Sequence, residues 1–433
     1  DGVLRPALRT PLAPEPKRNK MLSKNLATCK HVDMATVQLV HKIALDPTNK
    51  QRTLLAKSAG TARFAYNWAL DEWQKQYRNG HKPTEAALRR QLNAVKPTDY
   101  PWMFEVSKAV PQQAVKNLGD AFKRFFQGKS AYPRFKKKFV DDRFRADNGP
   151  GTFDVQGKRI RLPKIGWIKT REPLRFSGKL KRVVVSRTAD RWFASVLVEM
   201  DTDQPDRENQ TIGGVDLGVK ALATLPDGTM FESPKALERN LKKLRRLNKA
   251  HSRKKNGSRK KRKSAAKLAR LHRRIANIRA DALHKLTTYL VRTYGVVGIE
   301  DLNVSGMSQN KRLARHIADV GFHEFRRQLE YKAELYGTRI VVADRFYASS
   351  KTCSACVGLR TKRCGSADRA WTCGSCGTHH DRDINAAANL QTLAASSAVT
   401  ARGEDSTGRD VRVPVNLAST KREPGGKPAH ATA

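Results

Sequence analysis

No stretch of the 433-residue sequence is apolar for long enough to span a bilayer, so it does not read as a helical membrane protein. The amino terminus also lacks a signal peptide, because charges and prolines interrupt it before an apolar core develops. Cysteines number six, and four of them are clustered, which disfavours a disulfide scaffold. Acidic side chains are scarce: 40 Asp and Glu stand against 85 Lys and Arg, a formal net charge of +45. No internal repeat is found. These absences point to an intracellular, cytoplasmic protein whose thiols stay reduced.

Core-forming residues are ample at 39%, so the chain is a folded one, long enough for two or three domains. A charge of this size calls for a polyanion. Nucleic acid is the favoured partner, because neutralising phosphates releases counterions. An anionic membrane surface is the alternative.

Residues 1–35 are Pro-rich and basic and read as a disordered tail, with Met21 and Met34 as alternative starts. Val37, Leu39, His41, Ile43 and Leu45 alternate as a strand should. Asp46-Pro47-Thr48 ends it and starts a helix, Gly60 punctuates, and a second helix runs to Asn79-Gly80. A helix-turn-helix near residues 50–75 is one reading of this pair. Further helices begin near Thr84 and Ser107. From Tyr132 the texture changes to short strands that suggest a small β-barrel or sheet joined to the Val37 strand.

The stretch YPRFKKKF interleaves aromatics with Arg134, Lys136, Lys137 and Lys138, a pattern suited to nucleic acid. Between Glu238 and Asp281 there is no acid at all. Two basic helices are expected there, with Arg253, Lys254, Lys255, Arg259, Lys260, Lys261, Arg262 and Lys263 around an exposed loop on phosphate.

Two C-x2-C pairs, Cys353/Cys356 and Cys373/Cys376, stand a short loop apart. Each supplies two thiolates from one tight turn, and together they complete a tetrahedral Zn²⁺ shell. Such a closed shell is structural, not catalytic. Cys364, His379 and His380 are the substitutes.

Three acids stand at element ends: Asp216 after IGGV, Glu300 after VVGI, and Asp383 opening an Ala-rich helix. Singly, each reads as a turn residue or an N-cap. Jointly they suit hard divalent cations, and in-line phosphodiester cleavage uses two of these bridged by shared carboxylates. Gly213, Gly214 and Gly218 would let backbone and substrate come close.

The ordered motifs GVDLGVKALAT, VGIEDLN, CSAC…CGSC and DRDINAAANL resemble the TnpB (OrfB-type) family of transposon-encoded proteins, relatives of the type V CRISPR effectors. YPRFKKK and IRLPKIGWIK are similar to its amino-terminal half, so the likeness covers residues 36–393. It implies an α/β multidomain chain. A wedge β-barrel (36–46 and 131–207) would be interrupted by a helical recognition bundle (47–130). An RNase H-like, RuvC-type nuclease domain (208–350 and 379–395) would carry an inserted zinc ribbon (351–378) before a disordered tail (396–433).

The resemblance further implies Asp216, Glu300 and Asp383 as the catalytic, Mg²⁺-binding triad, in preference to their neighbours Asp301 and Asp381. Two Mg²⁺ ions in the two-metal scheme, with Mn²⁺ as a substitute, and one structural Zn²⁺ are the implied cofactors. A transposon-end guide RNA and a double-stranded target DNA with a short flanking motif are the implied partners. Val357 departs from the family, which has Gly after the second cysteine, and puts that turn in question. The alternatives are a guided binder without cleavage, a plain DNA-binding accessory protein, and a decayed or domesticated transposon protein.

Overall fold

The computed structural model describes residues 35–147, 152–202, 209–360 and 369–407. The alternating stretch forms β1 (Ala35–Asp46), with His41, Ile43 and Leu45 buried and Val40 and Lys42 exposed. Thr48 then caps α1 (Asn49–Arg78): its hydroxyl accepts from the Gln51 amide while the Gln51 side chain accepts from the Thr48 amide. Gly60 does not end this helix. It lies mid-helix with a Cβ position touching only the Arg63 guanidinium, 3.8 Å away. The helix therefore runs unbroken through residues 50–75, and the helix pair of this region is α1 with α2 (Glu85–Asp99), joined at 79–84. A single glycine costs a helix about 1 kcal/mol, which the apolar face of a 30-residue helix readily offsets.

A short 3-10 turn (Pro101–Glu105) leads to α3 (Ala109–Phe126), with Pro111 in its first turn. Six strands follow: β2 (Arg143–Asp147), β3 (Asp154–Gln156), β4 (Arg159–Leu162), β5 (Gly166–Thr170), β6 (Lys179–Thr188) and β7 (Arg191–Thr202). With β1 they make one antiparallel sheet in the order β2-β6-β7-β1-β5-β4-β3. Among the described residues, β2 and β3 stand at opposite ends, so the hydrogen bonding runs as an open row. The helices and this sheet share one core, from Leu55, Leu70 and Phe122 to Val183 and Val196. Buried Asp142 ties them electrostatically, paired with Arg63 of α1 and Arg187 of β6.

The second half is organised around parallel strands. β8 (Ile212–Val215), β11 (Val296–Ile299) and β12 (Arg339–Val342) pair in the order β12-β11-β8, both ladders parallel. Between β8 and β11 come the hairpin β9 (Ala221–Thr224) and β10 (Met230–Glu232), then α4 (Ala236–Ser252) and α5 (Arg259–Thr293). Helices α6 (Val304–Gln309), α7 (Ala314–Val320) and α8 (Phe322–Tyr336) separate β11 from β12. Leu283, Leu286 and Leu290 of α5 and Phe325 and Leu329 of α8 fill the core over the sheet.

That core holds one buried cation. Lys332 donates to the His284 carbonyl and to the Thr287 and Thr288 hydroxyls at 2.7–2.9 Å. Burial lowers its pKa from 10.5 to about 8. The unfolded chain therefore holds this proton more tightly, and the group's contribution to stability rises as pH climbs from 8 to 10.5. That rise is worth on the order of 3 kcal/mol. Melting curves at pH 7.5 and 9.5 should show a gain for the parent that is missing in Lys332→Met.

Strands β13 (Ala370–Thr372) and β14 (His379–Asp381) form a hairpin that runs straight into α9 (Arg382–Thr407). The helix thus continues through residues expected to begin a disordered tail.

Candidate active site and zinc ribbon

Parallel pairing decides where two of the acids go. Val215 is opposite Ile299 at the carboxyl ends of β8 and β11, so Asp216 and Glu300, the next residues, leave the sheet side by side. This edge is where α/β sheets hold ligands. Asp216 is also tied back by paired backbone hydrogen bonds with Thr224 of β9, at 3.1 and 2.9 Å.

Asp383 reaches the same edge on α9, and glycine makes that approach feasible. A Cβ on Gly214 would lie 2.0 Å from the Ala387 carbonyl oxygen, and one on Gly298 would lie 2.3 Å from that of Leu390. The helix backbone therefore rests directly on β8 and β11, and Gln391 donates to the Ile212 carbonyl at 2.7 Å. Gly214 admits a helix, not a substrate, and Gly213 faces the Tyr294 ring, which corrects the expectation for both. A Cβ on Gly218 would meet the Ala221 carbonyl oxygen at 3.0 Å and the Lys220 amide nitrogen at 4.0 Å, both in its own turn.

All three acids are half-buried, and the titration of Asp216 is strongly displaced. Burial first, and then the nearby Glu300 and Asp383, push its carboxyl from 3.8 up to about 8, against opposing pulls from Arg382 and Arg369. Glu300 accepts a hydrogen bond from the buried Ser349 hydroxyl. Asn385 and Asn389 of α9 in turn grip the Ser349 carbonyl, at 3.4 and 2.7 Å. The Asp383 carboxylate pairs with Arg369 and Arg382. Oxygen donors crowded and partly desolvated in this way fit hard divalent cations. Their oxygens are less tightly gathered than the cysteine sulfurs, the group found within 4.8 Å among the described residues.

The neighbouring acids have other tasks. Asp381 caps α9, accepting from the Asp383 and Ile384 amides at 2.9 and 3.1 Å. Asp301 is held by Arg326 and Arg345, whose guanidiniums keep its carboxyl below the usual range, with Arg345 the stronger.

Arg369 and Ser349 carry no local sequence signal. Arg369 meets Asp383 only because β13 and β14 pair Ala370 with Asp381, and the Arg382 amide then donates to the Arg369 carbonyl at 2.7 Å.

The four cysteines converge as expected. Cys353–Cys376 and Cys356–Cys373 sulfurs are 3.7 and 3.6 Å apart. A tetrahedral zinc with bonds of about 2.3 Å has sulfur–sulfur edges of about 3.8 Å, so the cluster fits one structural Zn²⁺. His380 stands 3.0 Å from the Cys353 sulfur, as a hydrogen-bonding neighbour of the cluster. His379 lies instead against the Thr372 hydroxyl at 3.1 Å. Cys364 falls outside the described residues. Metal analysis should find one zinc per chain, and Cys353→Ser should lose it along with soluble yield.

The two knuckles are matched turns. Gly377 has φ +73° and donates to Cys373, while Val357 has φ +63° and donates to Cys353, both at 2.9 Å. A β-branched residue in the left-handed region is strained by about 1–2 kcal/mol. Its side chain is 75% exposed, so no packing compensates. Val357→Gly should therefore raise the melting temperature and slow zinc loss to a chelator.

The basic residues divide. Arg134, Lys137 and Lys138 are exposed. Lys136 is half-buried: its backbone is held by the Asn67 side chain, and its ammonium sits 4.3 Å from the Tyr66 ring. It lines a cleft of about 580 Å³ with Arg63, Arg124, Arg143 and Arg182, cations from separate elements that no linear motif reveals. Arg253 and Lys255 are exposed in the 253–258 loop, as are Arg259, Lys260, Arg262 and Lys263 on α5. Lys254 and Lys261 are half-buried there, and Lys254 donates to the Ala250 carbonyl at 2.8 Å.

Comparison with known proteins gives this geometry a family. Models described as "Probable transposase", "Cas12f1-like, TNB domain" and "Helix-turn-helix domain" match residues 195–311, 322–390 and 34–82. A Streptomyces pristinaespiralis protein named "Putative RNA-guided DNA endonuclease" is 36% identical over 400 residues, covering 90% of this chain and 97% of its own. The chain belongs to the TnpB family. InsQ of Escherichia coli (strain K12), named in the same way, is 35% identical over 380 residues, covering 84% of this chain and 93% of InsQ. A Cas12f1–sgRNA–target DNA complex aligns with 82% of this chain and 99% of its own at 16% identity, but its TM-score of 0.31 is too low to add to the argument. Among the described residues of this TnpB-family chain, no helix is long and apolar enough to cross a membrane.

Proposed function

We propose that the protein is an RNA-guided DNA endonuclease of a transposon, acting in the cytoplasm, with Asp216, Glu300 and Asp383 as its catalytic acids. The observation that carries this reading is the meeting of three acids, from two parallel strand ends and one helix start, in a chain with a net charge of +45. Residues 208–350 and 379–395 are read as a RuvC-like nuclease domain holding the zinc ribbon. The seven-stranded sheet is read as the wedge, and α1–α3 as the recognition bundle. A transposon-end RNA would lie on the basic surfaces and select DNA by base pairing next to a short flanking motif.

The three carboxylates would hold two Mg²⁺ ions, which when bound supply Lewis-acid stabilisation and a stronger nucleophile for phosphodiester hydrolysis. The protein's own groups set that arrangement. Ser349 fixes the Glu300 carboxylate, and the two asparagines of α9 fix Ser349. Arg369 and Arg382 balance Asp383 and would offer positive charge to a phosphate held there. Guided binding without cleavage would need one acid missing or turned away, whereas Asp216 feels both of the others.

The test is cleavage of matched DNA by the full chain with its RNA and Mg²⁺. Cleavage retained by Asp216→Ala would refute the assignment.

A further inference from the structure

A cavity of about 380 Å³ opens directly beside Glu300. Its wall is apolar, built from Leu217, Leu302, Val304 and Phe322. The first three are only half-buried, so this apolar surface is not consumed by the core. His323, Arg326, Arg327 and Glu330 line it as well. Arg326 is fixed there by Asp301 and Glu330, at 2.8 and 2.9 Å. The His323 side chain is exposed, and no hydrogen bond or ion pair among the described residues occupies it.

Size and chemistry limit the occupant. The volume lies at the small end of the roughly 300–1,000 Å³ of small-ligand sites. It admits one base with its sugar, not a paired duplex. An apolar wall edged by the exposed, unpaired His323, with the Arg326 and Arg327 charges balanced by Asp301, Glu330 and Glu324, suits a base against the wall and its phosphate outside. The slot shares Glu300 with the acidic trio, so a strand lying across those acids has a neighbouring nucleotide at its mouth.

We infer that this cavity is a subsite for one unpaired base of the DNA strand being cut, adjacent to the scissile phosphate. The inference rests on the reading of Glu300 as a catalytic acid. His323 holds the phosphate on the open side of the slot, and the wall holds the base out of the stack. Only a strand already separated from its complement meets this requirement, so the subsite selects single-stranded over duplex DNA.

The experiment uses the full chain with its co-purified RNA. 2-Aminopurine is placed at successive positions of a matched target strand and bound to the Asp216→Ala variant. One position near the cut is expected to change its fluorescence on binding. Val304→Trp, which fills the slot, removes that change, and His323→Ala weakens it. In protein with the acids intact, Val304→Trp slows cleavage about tenfold, the scale of losing one stacked base. An abasic site at the same position causes the same loss and adds nothing to Val304→Trp. If no position responds to Val304→Trp, the subsite is wrong whether or not the parent cuts. If the fluorescence change follows the slot but the parent never cuts, the subsite stands and the nuclease reading falls.

Discussion

Replacing Gly214 with alanine is expected to unseat α9 and abolish cleavage. The added methyl would sit 2.0 Å from the Ala387 carbonyl oxygen and 2.4 Å from the Gln391 amide nitrogen. Both are backbone atoms of a helix interior, so no side-chain rotation relieves the clash, and the whole helix must move off β8. Overpacking of this kind costs about 3 kcal/mol or more. The damage extends beyond stability, because α9 carries Asp383 at its start and the two asparagines that hold Ser349. Gly374→Ala is the control, since nothing lies within 4 Å of its Cβ position. Thermal melting and cleavage, measured on both variants, should fall together for Gly214→Ala and stay near the parent for Gly374→Ala.

Asp216→Asn is expected to give the opposite pairing of effects. Cleavage should fall on the order of 10³-fold or more, as for removal of a central member of a catalytic set. Stability should rise. The parent carboxyl is half-buried and crowded by two other acids, and its elevated pKa of about 8 means that ionising it opposes folding. An amide of the same shape removes that repulsion, the usual trade between a strained site and a stable one. Nucleic-acid affinity, set mainly by the basic surface, should be nearly unchanged. An Asp216→Asn protein that melts lower than the parent would mark the residue as structural.

Some of this architecture is legible in the sequence because its causes are local. Alternation gave β1, Asp46-Pro47-Thr48 gave the start of α1, and the apolar runs before Asp216 and Glu300 gave β8 and β11. The two knuckles needed only their spacing. Other features depend on partners distant in the chain. Gly60 reads as a stop only until the core beneath α1 is counted. Gly214 reads as room for a substrate because its real neighbour, Ala387, is far along the chain. Arg369 becomes part of the site only through the β13–β14 register. The two halves of the amino-terminal sheet are joined because β1 pairs with β7 along most of its length and with β5 at Leu45 and Asp46, a pairing that no strand announces by itself.

Cutting by the three acids of DNA chosen by a bound RNA is open to direct test. Its most direct measurement starts by sequencing the RNA that co-purifies with the full chain. A plasmid carrying the matching target beside randomised flanking sequence is then offered with Mg²⁺. Cleavage is expected of the matched plasmid only, restricted to some flanks, and none is expected from Asp383→Asn. Equal cutting of matched and unmatched plasmids, or undiminished cutting by Asp383→Asn, would contradict it.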